Sequence, residues 1–162
     1  MNKMEDKNIM KLSDISIRRI KEAGWEENRN IDIKDIECIF KDRKIEIFPS
    51  TKKFLSEFGM LNIEFPKPGS LFNTVEKINF NPFNAIGDCL DGEYFKDIEE
   101  EYKDKIGEKV NPIGETDRGN LILLITPTEK FYGFTDGCLV KYGDNTEEML
   151  ECLCVPQIPQ IF

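Results

Sequence analysis

The sequence predicts an α+β fold in which N-terminal helices pack against a mainly antiparallel sheet and a C-terminal helix closes the chain. Three observations carry this. Apolar residues recur at helical spacing through the first 58 residues. From Leu61 onward they alternate with polar residues, punctuated by Gly, Pro and Asn. The helical period then returns between Asn145 and Leu153. A chain of 162 residues with 40% hydrophobic content is expected to form one domain over 1–162. Residues 1–12 are expected to fray, and 155–162 to form an extended tail with two prolines.

A first helix is expected to start at Ser13 or Asp14, either of which can cap it, with Ile17, Ile20 and Ala23 on one face and Gly24 as its stop. Trp25, the sole tryptophan, follows that glycine and is expected to plug the helix end. A second helix spans Asp32 to about Asp42, capped by Asp32, with Ile33, Ile36 and Phe40 as its apolar stripe. Ile45 to Phe48 alternates too briefly for more than a short strand or link. A third helix, Ser50 to Phe58, buries Phe54, Leu55 and Phe58 and ends at Gly59.

Leu61, Ile63 and Phe65 then mark a strand stopped by Pro66 and Pro68, and Leu71 to Phe80 holds a second strand ending at Asn81-Pro82. Glu93 to Ile106 reads as a charged helix whose inner set is Phe95, Ile98, Tyr102 and Ile106. Extended runs follow at Val110 to Glu115, Leu121 to Thr126, Phe131 to Phe134 and Leu139 to Tyr142. Asp136-Gly137 is the signal for a tight hairpin between the last two. A closing helix from Asn145 to about Leu153, capped by Asn145 or Thr146, buries Met149, Leu150 and Leu153.

Composition narrows the chemistry. The chain has no histidine, which removes Ser-His and Cys-His nucleophile pairs, histidine bases and every His-containing metal set. Its net charge of -9 argues against direct nucleic-acid binding, which needs clustered Lys and Arg. No apolar run approaches the ~20 residues that span a bilayer, and none of signal-peptide length follows Met1. A cytoplasmic chain with no membrane contact is therefore expected. The five cysteines are odd in number and contain no Cys-x-x-Cys pair, so neither a disulfide framework nor a zinc site is indicated. Cys152 and Cys154 read as buried or half-buried thiols near a helix end.

Phosphate-cradling glycine loops and the nucleophile elbow are absent, and no calcium-loop spacing occurs. Asp88 and Asp91 are the best-placed carboxylate pair for acid/base work, yet no burying context surrounds them. The reading is a protein with no catalytic residues, no metal and no cofactor. Charge placement says more. Residues 1–58 hold 13 basic and 12 acidic side chains, whereas 59–162 hold 9 and 19. The densest stretch carries Asp88, Asp91, Glu93, Asp97, Glu99, Glu100, Glu101 and Asp104 against Lys96 and Lys103. Such a run is either a solvated helix face or a surface that steers a basic partner.

Several pieces, taken in order, resemble one family. These are Ala23-Gly24-Trp25, Arg29 and Asp32; Phe54-Leu55-Ser56-Glu57-Phe58-Gly59; Pro112-Ile113-Gly114-Glu115; the Leu121 to Ile125 strand; the Asp136-Gly137 hairpin; and the closing helix. Together, over roughly residues 13–154, they are similar to the third family of the SUKH superfamily, named after the yeast Smi/Knr cell-wall regulator. The resemblance implies a bacterial immunity protein that binds the catalytic domain of a cognate polymorphic secreted toxin, often a nuclease or deaminase, and blocks it without chemistry. The partner-binding residues expected on this reading are Asp88, Asp91, Glu93, Asp97, Glu100, Glu101 and Asp104. Gly24, Trp25, Arg29, Phe58, Gly59 and Gly114 are expected to be structural, with Arg29 bracing Asp32 or a helix end. The alternative is a Smi/Knr-like interaction scaffold with no toxin. The oligomeric state is not legible in the sequence.

Overall fold

The computed structural model describes residues 11–67, 74–155 and 160–161. Among them are six α-helices and a seven-stranded sheet. The helices are α1 (Asp14–Glu22), α2 (Lys34–Asp42), α3 (Pro49–Phe58), α4 (Pro82–Ile86), α5 (Gly92–Glu101) and α6 (Thr146–Cys154). The strands are β1 (Asn62–Pro66), β2 (Val75–Asn79), β3 (Asn111–Thr116), β4 (Leu121–Ile125), β5 (Phe131–Thr135), β6 (Cys138–Gly143) and β7 (Gln160–Ile161). Each strand pairs antiparallel with the next in sequence, so the sheet is a meander in the order β1 to β7. The α+β architecture with helices first and a closing helix is the one the hydrophobic periods imply.

Local chemistry sets most boundaries. The Ser13 side chain caps α1 by accepting from the Ser16 N–H, and Pro49 occupies the first turn of α3, where its missing N–H is harmless. Asn145 caps α6 by accepting from Glu148 N–H at 2.8 Å. Asp136 and Gly137 form the two-residue β5–β6 turn between Thr135 and Cys138, with Gly137 at φ +79°.

Three sequence expectations need adjustment. Helix α2 begins at Lys34, not Asp32; the Asp32 carboxylate instead accepts from Lys34 N–H at 2.9 Å just ahead of it. Helix α4 lies where the sequence marks only the end of a strand. It is started by Asn81, whose side chain accepts from Phe83 N–H, and by Pro82. Helix α5 ends at Glu101 instead of Ile106. Its last turn holds Glu99, Glu100 and Glu101 and no basic residue, so three carboxylates sit at the negative end of the helix dipole, which disfavours continuation. Turns then carry the chain past Gly107 at φ +69°. The second strand is present over Val75–Asn79, and its expected start at Leu71 lies outside the described residues.

The core is aromatic at its centre. Phe54 of α3 packs 5.2 Å from Phe58, 5.1 Å from Phe80 and 5.3 Å from Phe131, measured between ring centres. Burying each such ring removes enough apolar surface to contribute about 1.5–3 kcal/mol. The ladder between β2 and β3 is one residue wide, at Asn79↔Glu115. There the Asn79 carbonyl comes so close to Gly114 that a Cβ on residue 114 would stand 2.0 Å from it. Glycine at this position is therefore what allows the two halves of the sheet to join. In the tail, Ile161 and Gln160 pair with Val140 and Lys141 of β6, adding an edge strand within the same chain.

Candidate functional site

Two groups of residues singled out by the sequence occupy different places. The first group surrounds the carboxyl end of α3. Gly24 takes φ +114° after α1, a conformation that side chains resist, and the following Trp25 N–H closes the helix on the Ile20 carbonyl. The Trp25 ring is buried, lies parallel to Phe58 at 6.2 Å and donates its indole N–H to Glu57 Oε2 at 3.3 Å. Arg29 donates from Nη1 to the Glu57 carbonyl at 2.7 Å and from Nη2 to the Gly59 carbonyl at 2.8 Å. Two carbonyls left over at the end of α3 are thus satisfied by one guanidinium fork, which also favours the negative end of the dipole. Of the two bracing roles open to Arg29, the helix end is the one it fills. A Cβ on Gly59 would meet the Leu55 carbonyl oxygen at 2.3 Å.

The second group lies on and around α5. Phe95 and Ile98 face inward, both 2% exposed. Glu93, Asp97 and Glu100, at i, i+4 and i+7, form a stripe on the opposite side, and Glu101 borders it. A ten-residue helix is about 15 Å long, and all seven expected contact carboxylates are exposed along or just beyond it. Asp88 precedes the helix and Asp104 follows it, so these two stand past its ends. The carboxylates are not equivalent. Asp91 caps α5, accepting from Glu93 N–H at 3.1 Å and Tyr94 N–H at 3.3 Å. Glu100 pairs with Lys103 at 3.5 Å across exposed side chains, an interaction worth little. Glu99, half-buried, turns inward to accept from Val110 N–H at 2.9 Å.

A region of mixed charge adjoins the stripe. A cleft of about 250 Å³ runs between α5, the α2–α3 link and the start of β3, edged by Lys44, Lys96 and Lys109 together with Glu46 and Glu99. Lys109 pairs with Glu46 at 3.4 Å. The excess of negative charge lies along α5 and just beyond its ends.

Two features beside this face go beyond the sequence reading. Tyr94 and Tyr102 flank Ile98 at a spacing of eight residues, a signal present in the sequence, and both are half-buried against the β5–β6 hairpin. Glu57, legible only as a helix residue, has its carboxyl held above the ordinary range by burial, partly offset by the Trp25 N–H and Lys53.

The cysteines are all free: Cys38 and Cys89 exposed, Cys138 and Cys152 half-buried, Cys154 buried. Burial pushes the Cys154 thiol up to about 12, far from a reactive thiolate. Among the described residues no three Cys, Asp or Glu side chains are grouped as a cation site, and no helix is long and apolar enough to cross a membrane.

Comparison with known proteins gives one match. No curated protein and no solved structure matches the chain. A family model, described as SUKH-3 immunity protein, matches residues 16–155, from the first turn of α1 to the end of α6. That span contains the helix-end lock, the Gly114 joint and the acidic helix, and the chain belongs to the SUKH-3 immunity protein family.

Proposed function

We propose that this chain, acting as one domain over 1–162, binds the catalytic domain of a cognate polymorphic secreted toxin in the cytoplasm and inhibits it by occlusion, with no chemistry of its own. The contact surface is the outer face of α5, with Glu93, Asp97, Glu100 and Glu101 at its centre and Asp88, Asp91 and Asp104 at its ends. Family membership supports a protein partner. The observation that carries the finer reading is the excess of exposed carboxylates along and just beyond α5, where Asp88, Asp91, Glu93, Asp97, Glu100, Glu101 and Asp104 outnumber the exposed Lys96 and Lys103. A toxin domain that acts on nucleic acid must present clustered Lys and Arg to phosphates. A carboxylate face of this kind is complementary to that surface, speeds encounter and rejects acidic surfaces.

The test is co-expression with the toxin domain encoded beside this gene. The wild-type chain is expected to restore growth, and failure to do so would sink the immunity reading for that pair. Reversing Glu93, Asp97, Glu100 and Glu101 to Lys is expected to slow association by about tenfold or more at low salt. An unchanged association rate in that variant would remove α5 as the contact face. Asp91 is left intact because it caps the helix.

A further inference from the structure

The acidic stripe is bordered on one flank by two tyrosines. Tyr94 and Tyr102 meet Phe134 edge-on, with ring centres 6.3 and 5.9 Å apart and interplanar angles of 76° and 74°. Phe134 is 4% exposed and belongs to β5, so both rings rest against the sheet. Tyr94 also packs edge-on to Phe95 at 5.3 Å. Both tyrosines are half-buried, so part of each side chain reaches solvent. Carboxylates surround them. Glu101 precedes Tyr102 directly, and Asp136, exposed in the β5–β6 turn, follows by two residues the Phe134 ring that both tyrosines touch; both phenols are held above their ordinary range, by burial first and by nearby charges second.

Exposed carboxylates and half-buried tyrosines contribute to binding differently. Exposed charges act at long range and are screened by salt, so they govern the rate of encounter more than the lifetime of a complex. Tyrosine offers a large ring at little entropic cost plus a hydroxyl that can donate or accept, and tyrosines are among the residues enriched at interface hot spots. Here the ordering cost is already met by Phe134, so binding does not have to freeze the rings. We propose that Tyr94 and Tyr102, with Asp136 at the neighbouring hairpin tip, are the affinity anchor of the partner interface, receiving an Arg or Lys side chain of the toxin domain. The guanidinium or ammonium group lies over one aromatic face, donates to the phenol oxygens and stays within reach of Asp136 or Glu101, a geometry that combines cation–π attraction with charge-assisted hydrogen bonds. The acidic stripe then brings the partner in, and the tyrosines hold it. This inference rests on the reading that the outer face of α5 meets the partner.

The experiment measures association and dissociation rates separately, with the purified toxin domain encoded beside this gene, for three variants. The Tyr94→Phe, Tyr102→Phe double variant keeps both rings on Phe134 and removes only the hydroxyls. It is expected to melt like the wild type, to associate within about twofold of it, and to dissociate about tenfold faster, the size of two lost hydrogen bonds. The Tyr94→Ala, Tyr102→Ala double variant is expected to dissociate at least about 30-fold faster, the hot-spot threshold. The reversal of Glu93, Asp97 and Glu100 to Lys, which spares Glu101 beside the tyrosines, is expected to slow association while leaving dissociation within about threefold. If the reversal slows association but both tyrosine variants dissociate like the wild type, the anchor is overturned and the acidic face stands. If no variant alters either rate, the face itself is wrong and the anchor falls with it. If the alanine variant fails to fold, the phenylalanine variant decides alone: an unchanged dissociation rate overturns the hydroxyl anchor.

Discussion

The indole N–H of Trp25 donates to the Glu57 carboxylate at 3.3 Å while its ring lies parallel to Phe58. This pair joins the loop after α1 to the end of α3, and it leaves a carboxylate half-buried near Glu147, with Lys53 as an offsetting charge. Burial raises the Glu57 carboxyl above its unfolded value near 4.5. A raised carboxyl opposes folding fully above its folded value, and the penalty vanishes as pH falls below the unfolded one. Glu57→Gln retains an oxygen to accept from Trp25 and loses the charge. It is expected to melt higher than the wild type at pH 7, with the difference fading as pH drops through the carboxylate range. Melting curves of the two proteins, taken side by side from about pH 7 to about pH 4, check this.

Arg29 bridges two backbone carbonyls at the end of α3. Arg29→Ala is expected to cost about 1.5–3 kcal/mol in urea unfolding, the usual range for hydrogen bonds to a charged group. Arg29→Lys is expected to recover less than half, because an ammonium lacks the planar fork.

Gly114 and Gly137 make opposite demands. A methyl at 114 meets the Asn79 carbonyl and the Phe80 backbone, neither of which can swing aside, whereas a methyl at 137 meets nothing within 4 Å and suffers only from its φ of +79°. Gly114→Ala is expected to cost about 3 kcal/mol or more, and Gly137→Ala about 1–2 kcal/mol. Equal losses in denaturant titrations would contradict this account of the β2–β3 joint.

Asn111, 1% exposed, holds the α2–α3 link to β3. Its Oδ1 accepts from Phe48 N–H at 3.0 Å and from the Thr51 hydroxyl at 2.6 Å, and its Nδ2 donates to the Glu46 carbonyl at 2.8 Å. Asn111→Leu strands these groups and is expected to destabilise by about 2–4 kcal/mol. Thr51→Val, which removes one of these bonds and keeps the others, is expected to cost about 1 kcal/mol. Chemical unfolding of both variants provides the comparison.

Salt separates the two roles proposed for the α5 face. Raising ionic strength from about 0.01 to 0.15 M shortens the screening length from about 30 to 8 Å, so association with the toxin domain is expected to slow severalfold while dissociation changes little. Stopped-flow mixing across that range measures it, and a salt-independent association rate would count against electrostatic steering.

Much of this fold was legible because it rests on local chemistry. The Ser13 cap, the Gly59 stop, the Asp136-Gly137 turn and the Asn145 cap all act within a few residues, so their signals survive without tertiary context. Two elements that the sequence misplaces are instructive. Asn81-Pro82 is a helix start as well as a strand stop, and only the contact of α4 with β3 selects the first. The apolar spacing through Tyr102 and Ile106 continues past α5, yet both residues reach the core from turns. The candidate site was legible as a run of carboxylates and no further. The Asp91 cap is a local contact of the same kind, whereas nothing local told that Glu99 turns inward to Val110 or that Tyr94 and Tyr102 share one ring of β5.

By itself, then, the sequence determined the fold class, the order of every long element, the family and the absence of histidine chemistry, since periodicity, caps and composition are properties of neighbouring residues. Only the tertiary structure decided which side chains meet: Trp25 with Glu57, Thr51 with Asn111, Gly114 with Asn79, and the tyrosines with Phe134. These partners lie between 32 and 60 residues apart, and what unites them is the burial of one shared core. Charge follows the same division. Its total is written in the composition, but which carboxylates of α5 stay exposed and which, like Glu99, turn inward is decided only once α5 is laid against the sheet.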